Sequence, residues 1–289
     1  MEKLILIDGN ALIHRAYHAI PPFKTKKGKL VNAVYGFISI LFRAIQELKP
    51  GYLAVTFDLS GPTFRNLEYE EYKAKRIKQP QEFYDQIPLI KEFVKALEIP
   101  IYEKKGFEAD DIIGTIIEKT KDKKIKKIII TSDLDVLQLV NRETEIHTLK
   151  KGINDTAVYN LLTIKERYGL TPDQIISFRG LKGDPSDNIP GVPGIGEKTA
   201  LQLIKEFNSL ENLYKELSNS NLKQKLQSRL LEYKEQAFFS KYLSTIKKDV
   251  PINFKLTECK WGKFNRKKTN KLLETLGFKS LIKRLDVIK

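Results

Sequence analysis

Nine carboxylates are spaced along the chain so that a sheet-based fold would gather them. Glu108-Ala109-Asp110-Asp111 places three acids in four residues where a helix begins. Asp8, Asp58 and Asp133 each close a short apolar run, and Asp135 follows two residues after Asp133. Gly183-Asp184-Pro185-Ser186-Asp187 supplies the last two. A single acid at a helix start caps it and offsets the helix dipole, and a single strand-end Asp is usually a turn former. That explains one or two of them. It does not explain so many, because like charges repel. Cations must therefore neutralise them, in a chain whose overall balance is +15. Oxygen donors without His or Cys select hard divalent ions, Mg²⁺ or Mn²⁺. Two or more such ions about 4 Å apart activate a water and stabilise the leaving oxygen of a phosphodiester.

A second element suits phosphate. Gly191-Val192-Pro193-Gly194-Ile195-Gly196-Glu197-Lys198-Thr199-Ala200 opens a helix. Glycines let backbone amides approach a phosphate, and a helix N-terminus adds favourable partial charge. Lys198 supplies a point charge beside Thr199. Glu197 separates Gly196 from Lys198, so this is no P-loop. The string matches a helix-hairpin-helix at about residues 187–206, a sequence-independent grip on a DNA backbone. The plainer reading is a Gly-rich turn that only packs helices.

These residues need a frame. Apolar runs at residues 3–7, 52–57 and 126–131, the last holding Ile128-Ile129-Ile130, read as buried parallel strands. Residues 99–103 and 145–149 read as two more. Helical spacing is clear from Val34 to Leu48 and in Ile112, Ile113, Ile116 and Ile117. Strands alternating with helices predict an α/β fold with a mostly parallel central sheet flanked by helices. Ligands of such a sheet bind at the carboxyl ends of its strands, where Asp8, Asp58 and Asp133 converge. Residues 61–85 are densely charged, with Tyr69 and Tyr72 interleaved and no core-facing stripe; they read as a segment reaching out over the surface. Residues 163–248 read as helices, and another helix is expected from Lys267 to Leu276.

Composition sets limits. With 289 residues, the chain makes one large domain or two modest ones. Lys and Arg number 51 against 36 Asp and Glu, which favours a polyanionic partner, nucleic acid first. The single cysteine excludes an internal disulfide and a Cys-rich zinc site and suits a reducing compartment. His14, His18 and His147 read as ordinary residues. No apolar run is long enough to span a bilayer, and Leu4 to Ile7 is too short for a signal peptide, so a cytoplasmic location is expected. Scarce Met and Cys with abundant Lys, Glu and Ile hint at a thermophile.

Taken together, several strings resemble the 5′ nuclease (flap endonuclease) family, most of all the N-terminal 5′→3′ exonuclease domain of bacterial DNA polymerase I. They are LILIDGN, NAVYGF, VTFD followed by FR, YKAKR, GFEADDIIGT, TSDLDVLQLV, YGLTPDQI and GDPSDNIPGVPGIGEKTA. The resemblance covers essentially the whole chain. It implies a PIN-like nuclease core over residues 1–165 with a helical arch at about 62–88. Residues 166–289 would form a helical DNA-binding region. It implies that Asp8, Asp58, Glu108, Asp110, Asp111, Asp133, Asp135, Asp184 and Asp187 hold divalent ions directly or through water. Lys73 and Arg76 match the arch's basic residues and would steer the scissile phosphate, while Tyr72 or Tyr69 would stack on a base. Gly194, Gly196, Lys198 and Thr199 would grip DNA, with room for a monovalent cation at the hairpin.

The expected activity is metal-dependent removal of 5′ ends and 5′ flaps, including RNA primers on DNA, with water as the nucleophile. A monomer is expected. The chain ends at Lys289 where a fused enzyme continues into a polymerase, which implies either a free-standing nuclease beside a separate polymerase or an excised domain. Two alternatives stand beside this reading: a non-catalytic DNA-structure-binding protein on the same fold, and a PIN-type RNase.

Overall fold

The computed structural model describes residues 1–149, 153 and 155–288. Six strands, β1 (Lys3–Asp8), β2 (Tyr52–Thr56), β3 (Ile101–Tyr102), β4 (Lys126–Thr131), β5 (Thr144–Leu149) and β6 (Thr156–Tyr159), form one sheet in the order β3-β2-β1-β4-β5-β6. All neighbours are parallel except β5 and β6. Parallel strands need crossovers, and helices supply them. Between β1 and β2 lie α1 (Gly9–Ala19) and α2 (Asn32–Leu48); between β2 and β3 lie α3 (Phe64–Glu68), α4 (Gln81–Tyr84) and α5 (Gln86–Ala96). Helix α6 (Ala109–Lys119) joins β3 to β4, and a 3₁₀ turn, Asp135–Leu139, joins β4 to β5.

The sheet register brings the strand ends level. Ile7 of β1 pairs with Val55 on one side and Ile130 on the other. From the central strand the chain moves first to β2 and later to β4. The crevice between those departures is where such sheets bind ligands. Alternate residues of β1 serve opposite faces. Leu4 and Leu6 join the core shared with α6 and the later helices α7 (Leu161–Tyr168), α8 (Pro172–Lys182), α9 (Glu197–Phe207) and α10 (Leu210–Glu216). The same core takes in α11 (Gln224–Glu232) and α12 (Lys234–Ser244). Ile5 and Ile7 join the core shared with α2, α5 and the last helices, α13 (Arg266–Leu276) and α14 (Lys279–Leu285). Both cores take in residues on either side of the expected division at 165 and 166.

Several boundaries shift for local reasons. Helix α1 starts at Gly9, directly after β1, because the Asp8 carboxylate accepts the Ala11 N–H at 3.0 Å and caps it. Strand β3 has two residues instead of five. The edge strand β6 gives no sequence signal, because of its four residues only Tyr159 is buried. The sequence span 187–206 holds only the hairpin and α9; the first helix of the helix-hairpin-helix is α8.

Two glycines close the loop that carries Asp184 and Asp187. Gly183 and Gly191 have φ of 71° and 61°. A Cβ on Gly191 would lie 2.4 Å from the Gly183 nitrogen, and one on Gly183 would lie 2.4 Å from the Ile189 carbonyl oxygen. Both collisions are with backbone, so neither can be relieved by a rotamer change. Gly28 also has positive φ, 80°, but nothing lies within 4 Å of its added Cβ. Thermal melts should therefore separate two substitutions. Gly28→Ala should cost about 1 kcal/mol, the backbone term alone, and Gly191→Ala at least about 3 kcal/mol, the backbone term plus the clash. Equal losses would show that the loop closure is not tight.

Candidate active site

Each acid is held by the element it ends or begins. Asp8 closes β1, caps α1, and accepts the Thr131 hydroxyl of β4 at 2.8 Å. Asp58, two residues beyond β2, accepts the Ala109 N–H at 2.7 Å and so fixes the first turn of α6. Glu108 and Asp111 form a reciprocal capping box at that helix start, with Asp110 between them. Asp133 follows β4 and accepts the Asp135 N–H at 2.8 Å. Asp184 accepts the N–H and hydroxyl of Ser186 at 2.8 and 2.7 Å. Asp8, Asp58, Glu108, Asp110, Asp133 and Asp184 all line one cleft of about 400 Å³.

The carboxylates divide into two sets by their partners. Glu108 meets Lys73 at 2.7 Å and Arg65 at 3.3 Å. Asp187 is paired with Arg76 and lies 3.7 Å from the Lys73 ammonium. Arg179 is paired with Asp135 and meets Asp184 at 2.9 Å. Asp8, Asp58, Asp110 and Asp133, by contrast, make no ion pair among the described residues. Burial, with Asp58 and Asp133 nearby, pushes the Asp8 carboxyl up to about 7. Burial also raises Asp58 and Asp133, and burial together with Asp111 and Glu108 raises Asp110 well above the carboxylate range. These four are an oxygen-only donor set short of positive charge, the chemistry that suits a hard divalent ion. Among the described residues, however, no three acidic, Cys or His side chains are already closed up as a cage.

Asp111 must be removed from the metal set. It is fully buried, and its two oxygens are engaged by Arg65 at 2.8 and 2.8 Å and by the amides of Glu108 and Lys247 at 3.1 and 2.8 Å. No lone pair is left facing the cleft. Asp135 and Asp187 do not line the cleft; they hold Arg179, Arg76 and Lys73 beside it.

The charged segment 61–85 also departs from expectation. Residues 64–76 do not reach out over the surface but fold back as a strap over the acids. Arg65 is 2% exposed; besides Asp111 it donates to the carbonyls of Leu243 and Thr245 at 2.8 and 3.0 Å. Burial opposes its charge, but the Asp111 hydrogen bonds and the surrounding carboxylates hold its pKa above the ordinary value. Tyr72 is buried, and its hydroxyl donates to Glu108 at 2.9 Å, so here it does not offer a face to a base. Tyr69 packs edge-on against Phe239. Lys73 and Arg76 do line the cleft. So does His14, one turn along α1 from Asn10, its ring 4.5 Å from that of Phe83. The sequence reading set His14 aside and did not single out Arg179; neither carries a local pattern that marks it.

The hairpin presents a different surface. Gly194, Gly196 and Lys198 are exposed and Thr199 half-buried at the start of α9. Gly194 has φ of 78°, and the Arg229 guanidinium lies over it. Gly196 needs no special backbone, and nothing lies within 4 Å of its added Cβ.

A carboxyl whose folded pKa is raised holds its proton more tightly when folded, so its stabilising contribution is present at low pH and lost as pH rises toward and through the folded value. For Asp8 that window runs from about 4 to about 7. The chain in a chelator should therefore melt at progressively lower temperature from pH 5 to pH 8. Asp8→Asn keeps the shape, and the Thr131 hydroxyl can turn to accept. That variant should flatten the decline and be more stable than the parent at pH 8 by about 1–3 kcal/mol. Parallel melting curves for the two chains across that range would disprove the strain assigned to Asp8.

Comparison with known proteins agrees with this geometry. Residues 3–169 match the family model described as 5′-3′ exonuclease, N-terminal resolvase-like domain, and residues 170–267 match the model for its C-terminal SAM fold. DNA polymerase I of Bacillus subtilis (strain 168) is 43% identical over 284 residues, 98% of this chain and 32% of the relative. That of Chloroflexus aurantiacus is 43% identical over 293 residues, 99% of this chain and 31% of the relative. The chain thus spans about a third of the length of the curated relatives it matches. Among solved structures, T5 5′-exonuclease with bound zinc superposes with a TM-score of 0.71 at 22% identity, covering 99% of this chain and 98% of that one. The catalytic core of Rad2 in complex with DNA substrate gives 0.66 at 16% identity, covering 100% and 93%. These likenesses show a shared fold, and the family models together with the DNA polymerase I relatives show that the chain belongs to the 5′-3′ exonuclease family and is a nuclease.

Proposed function

We propose that this chain hydrolyses phosphodiesters at 5′ ends and 5′ flaps of DNA, and of RNA primers paired to DNA, with bound divalent ions. The observation that carries the reading is the set Asp8, Asp58, Asp110 and Asp133, which makes no ion pair among the described residues and shares one cleft with Lys73 and Arg76. Mg²⁺ or Mn²⁺, two or more ions, would supply an activated water and charge stabilisation for the leaving oxygen. The four aspartates would hold the ions, with Glu108 and Asp184 as further oxygen donors. Lys73 and Arg76, freed from their carboxylate partners, would bind the non-bridging oxygens of the scissile phosphate and orient it. Of the serines lining the cleft, Ser132 donates to the Ala11 carbonyl and Ser186 to Asp184, so water would be the nucleophile.

Residues 1–165 would carry the chemistry and residues 166–289 much of the duplex grip. Gly194, Gly196, Lys198 and Thr199 would hold a duplex backbone without reading bases, with room for a monovalent cation at the turn. T5 5′-exonuclease with bound zinc and the catalytic core of Rad2 in complex with DNA substrate support the ion and the ligand class. The polymerase relatives support a place in replication and repair, where strand synthesis leaves a 5′ flap or primer ahead of it. A polymerase is then the functional partner, and a monomer suffices because one chain completes the cleft. No helix among the described residues is long and apolar enough to cross a membrane; a cytoplasmic setting follows from the proposed role.

Chemistry and grip should separate. Asp110→Ala should lower single-turnover cleavage of a 5′-labelled flap duplex in Mg²⁺ by about 10³-fold or more while leaving DNA affinity within about threefold. Wild-type cleavage by that variant would exclude Asp110 from the ion set. The hairpin test relies on Gly196, where a methyl group meets nothing in the protein. Gly196→Ala puts a poorer residue at the N-cap and should lower stability by no more than about 1 kcal/mol, and yet weaken duplex binding by the folded chain, because the methyl stands where a phosphate would approach. Lys198→Ala should weaken binding to unrelated sequences alike and make the salt dependence shallower by about one phosphate contact. Unchanged affinity in both variants would leave the turn a purely structural feature.

A further inference from the structure

The strap has an odd property for a segment meant to meet phosphate: its cations are already in use. Lys73 bridges Glu108 and Asp187, and Arg76 is held by Asp187. Backbone anchors go with them. The Lys73 N–H donates to the Asp187 carbonyl at 2.9 Å, and the Asn188 amide donates to the Glu71 carbonyl and carboxylate at 2.8 and 3.2 Å. Lys73 itself sits at φ of 59°, a left-handed conformation that costs a side-chain-bearing residue about 1–2 kcal/mol. Something must hold it there, and those contacts are what does. The strap's two ends differ. Arg65 is 2% exposed and fully satisfied, a fixed root. Lys73 and Arg76 are 25% and 52% exposed, and their ion pairs among the described residues are to Asp187 of the acidic loop 183–191 and to Glu108.

We propose that residues 69–76 are a counter-ion latch: the strap closes over the acids when no divalent ion is bound, and ion loading of the cleft releases it. The inference rests on the ion reading above. The argument is competition for the same negative charge. A divalent ion at the four unpaired aspartates draws Glu108 and Asp184 inward as oxygen donors and repels the ammonium and guanidinium beside them. Lys73 then loses Glu108, the nearer of its two carboxylate partners, while keeping its backbone strain. Release gives both cations to an incoming phosphate. It also keeps the ion-free enzyme from presenting a bare acidic cleft to DNA. Conversely, the closed strap taxes ion affinity, because only the open fraction binds.

The test uses the full chain with Mg²⁺ alone and no DNA. Hydrogen exchange is followed at the amides of Tyr72, Lys73, Ala74 and Arg76, which are bonded in the closed strap, and Mg²⁺ affinity is measured by calorimetry. Saturating Mg²⁺ should speed exchange at these amides by about tenfold while α6 and β1 stay protected. The double variant Lys73→Ala, Arg76→Ala should bind Mg²⁺ about tenfold more tightly, part of which is simple charge removal. Asn188→Gly changes no charge, tolerates the φ of 58° found there, and only unties the strap; it should tighten Mg²⁺ binding by about threefold. Exchange that is unchanged or slowed by Mg²⁺, or unaltered affinity in Asn188→Gly, overturns the latch and leaves the ion site standing. Absence of Mg²⁺ binding in all three chains overturns the ion site, and the latch with it.

Discussion

One buried ion pair fixes the geometry on which everything else in the cleft relies. Arg65 and Asp111 are almost completely withdrawn from water, and each uses its full hydrogen-bonding capacity. Removing either partner would strand a buried charge, at a cost of about 3–5 kcal/mol. The pair is thus no simple source of stability, since desolvating both groups consumes much of their attraction. Its value is positional. Arg65 roots the strap, Asp111 closes the N-terminus of α6, and the carbonyls of Leu243 and Thr245 bring in the end of α12. Three chain segments are joined at a single point, and Glu108 and Asp110 are carried on the turn that this point immobilises.

That arrangement allows the opposite condition a few ångströms away. Asp8 is buried, Asp110 and Asp133 are half-buried and Asp58 is exposed, and the four share one cleft with no ion pair among the described residues, which no fold would choose for stability. Their hydrogen bonds come from backbone amides and one hydroxyl, which aim the carboxylates but do not neutralise them. Such strain persists only where the surrounding structure over-determines it. Here the strand ends of β1 and β4, the capped start of α6 and the Arg65–Asp111 pair supply that constraint. The excess positive charge of the chain cannot relieve it, because nearly all of that charge lies on the exposed surface, screened by solvent.

Much of this is legible in the sequence, and the reasons differ by residue. Asp8, Asp58 and Asp133 are legible because each follows an apolar run, and a parallel sheet brings such run ends together. Glu108 and Asp110 are legible because their density exceeds what helix capping requires. Asp111 looks identical by those criteria, yet it is structural: its partner Arg65 is 46 residues away, and no local pattern reveals that pairing. The same holds for Arg65, whose carbonyl partner Leu243 is 178 residues distant. In the sequence it is one charge among many in a polar segment. Tyr72 fails similarly, since an interleaved aromatic in a charged run reads as a stacking surface until its burial is seen. Contacts between elements that are far apart in the chain are settled by packing, and periodicity reports only on neighbours.

The two glycines of the hairpin show how far a residue type can be read once its surroundings are known. Gly194 is explained by its backbone: φ is positive, and the Arg229 guanidinium already occupies the space a side chain would take. Gly196 has neither reason. Its φ of −85° suits any residue, and its added Cβ would project into open space. Glycine is an accepted N-cap residue, only a few tenths of a kcal/mol poorer than Ser or Asp, so capping accounts for part of its use at the start of α9. What capping leaves over is the bare, open face itself, which lets another group come close to the free amides of the first turn. At the exposed start of α9, beside Lys198, that face suits an anion, as the proposed grip on a phosphate backbone requires.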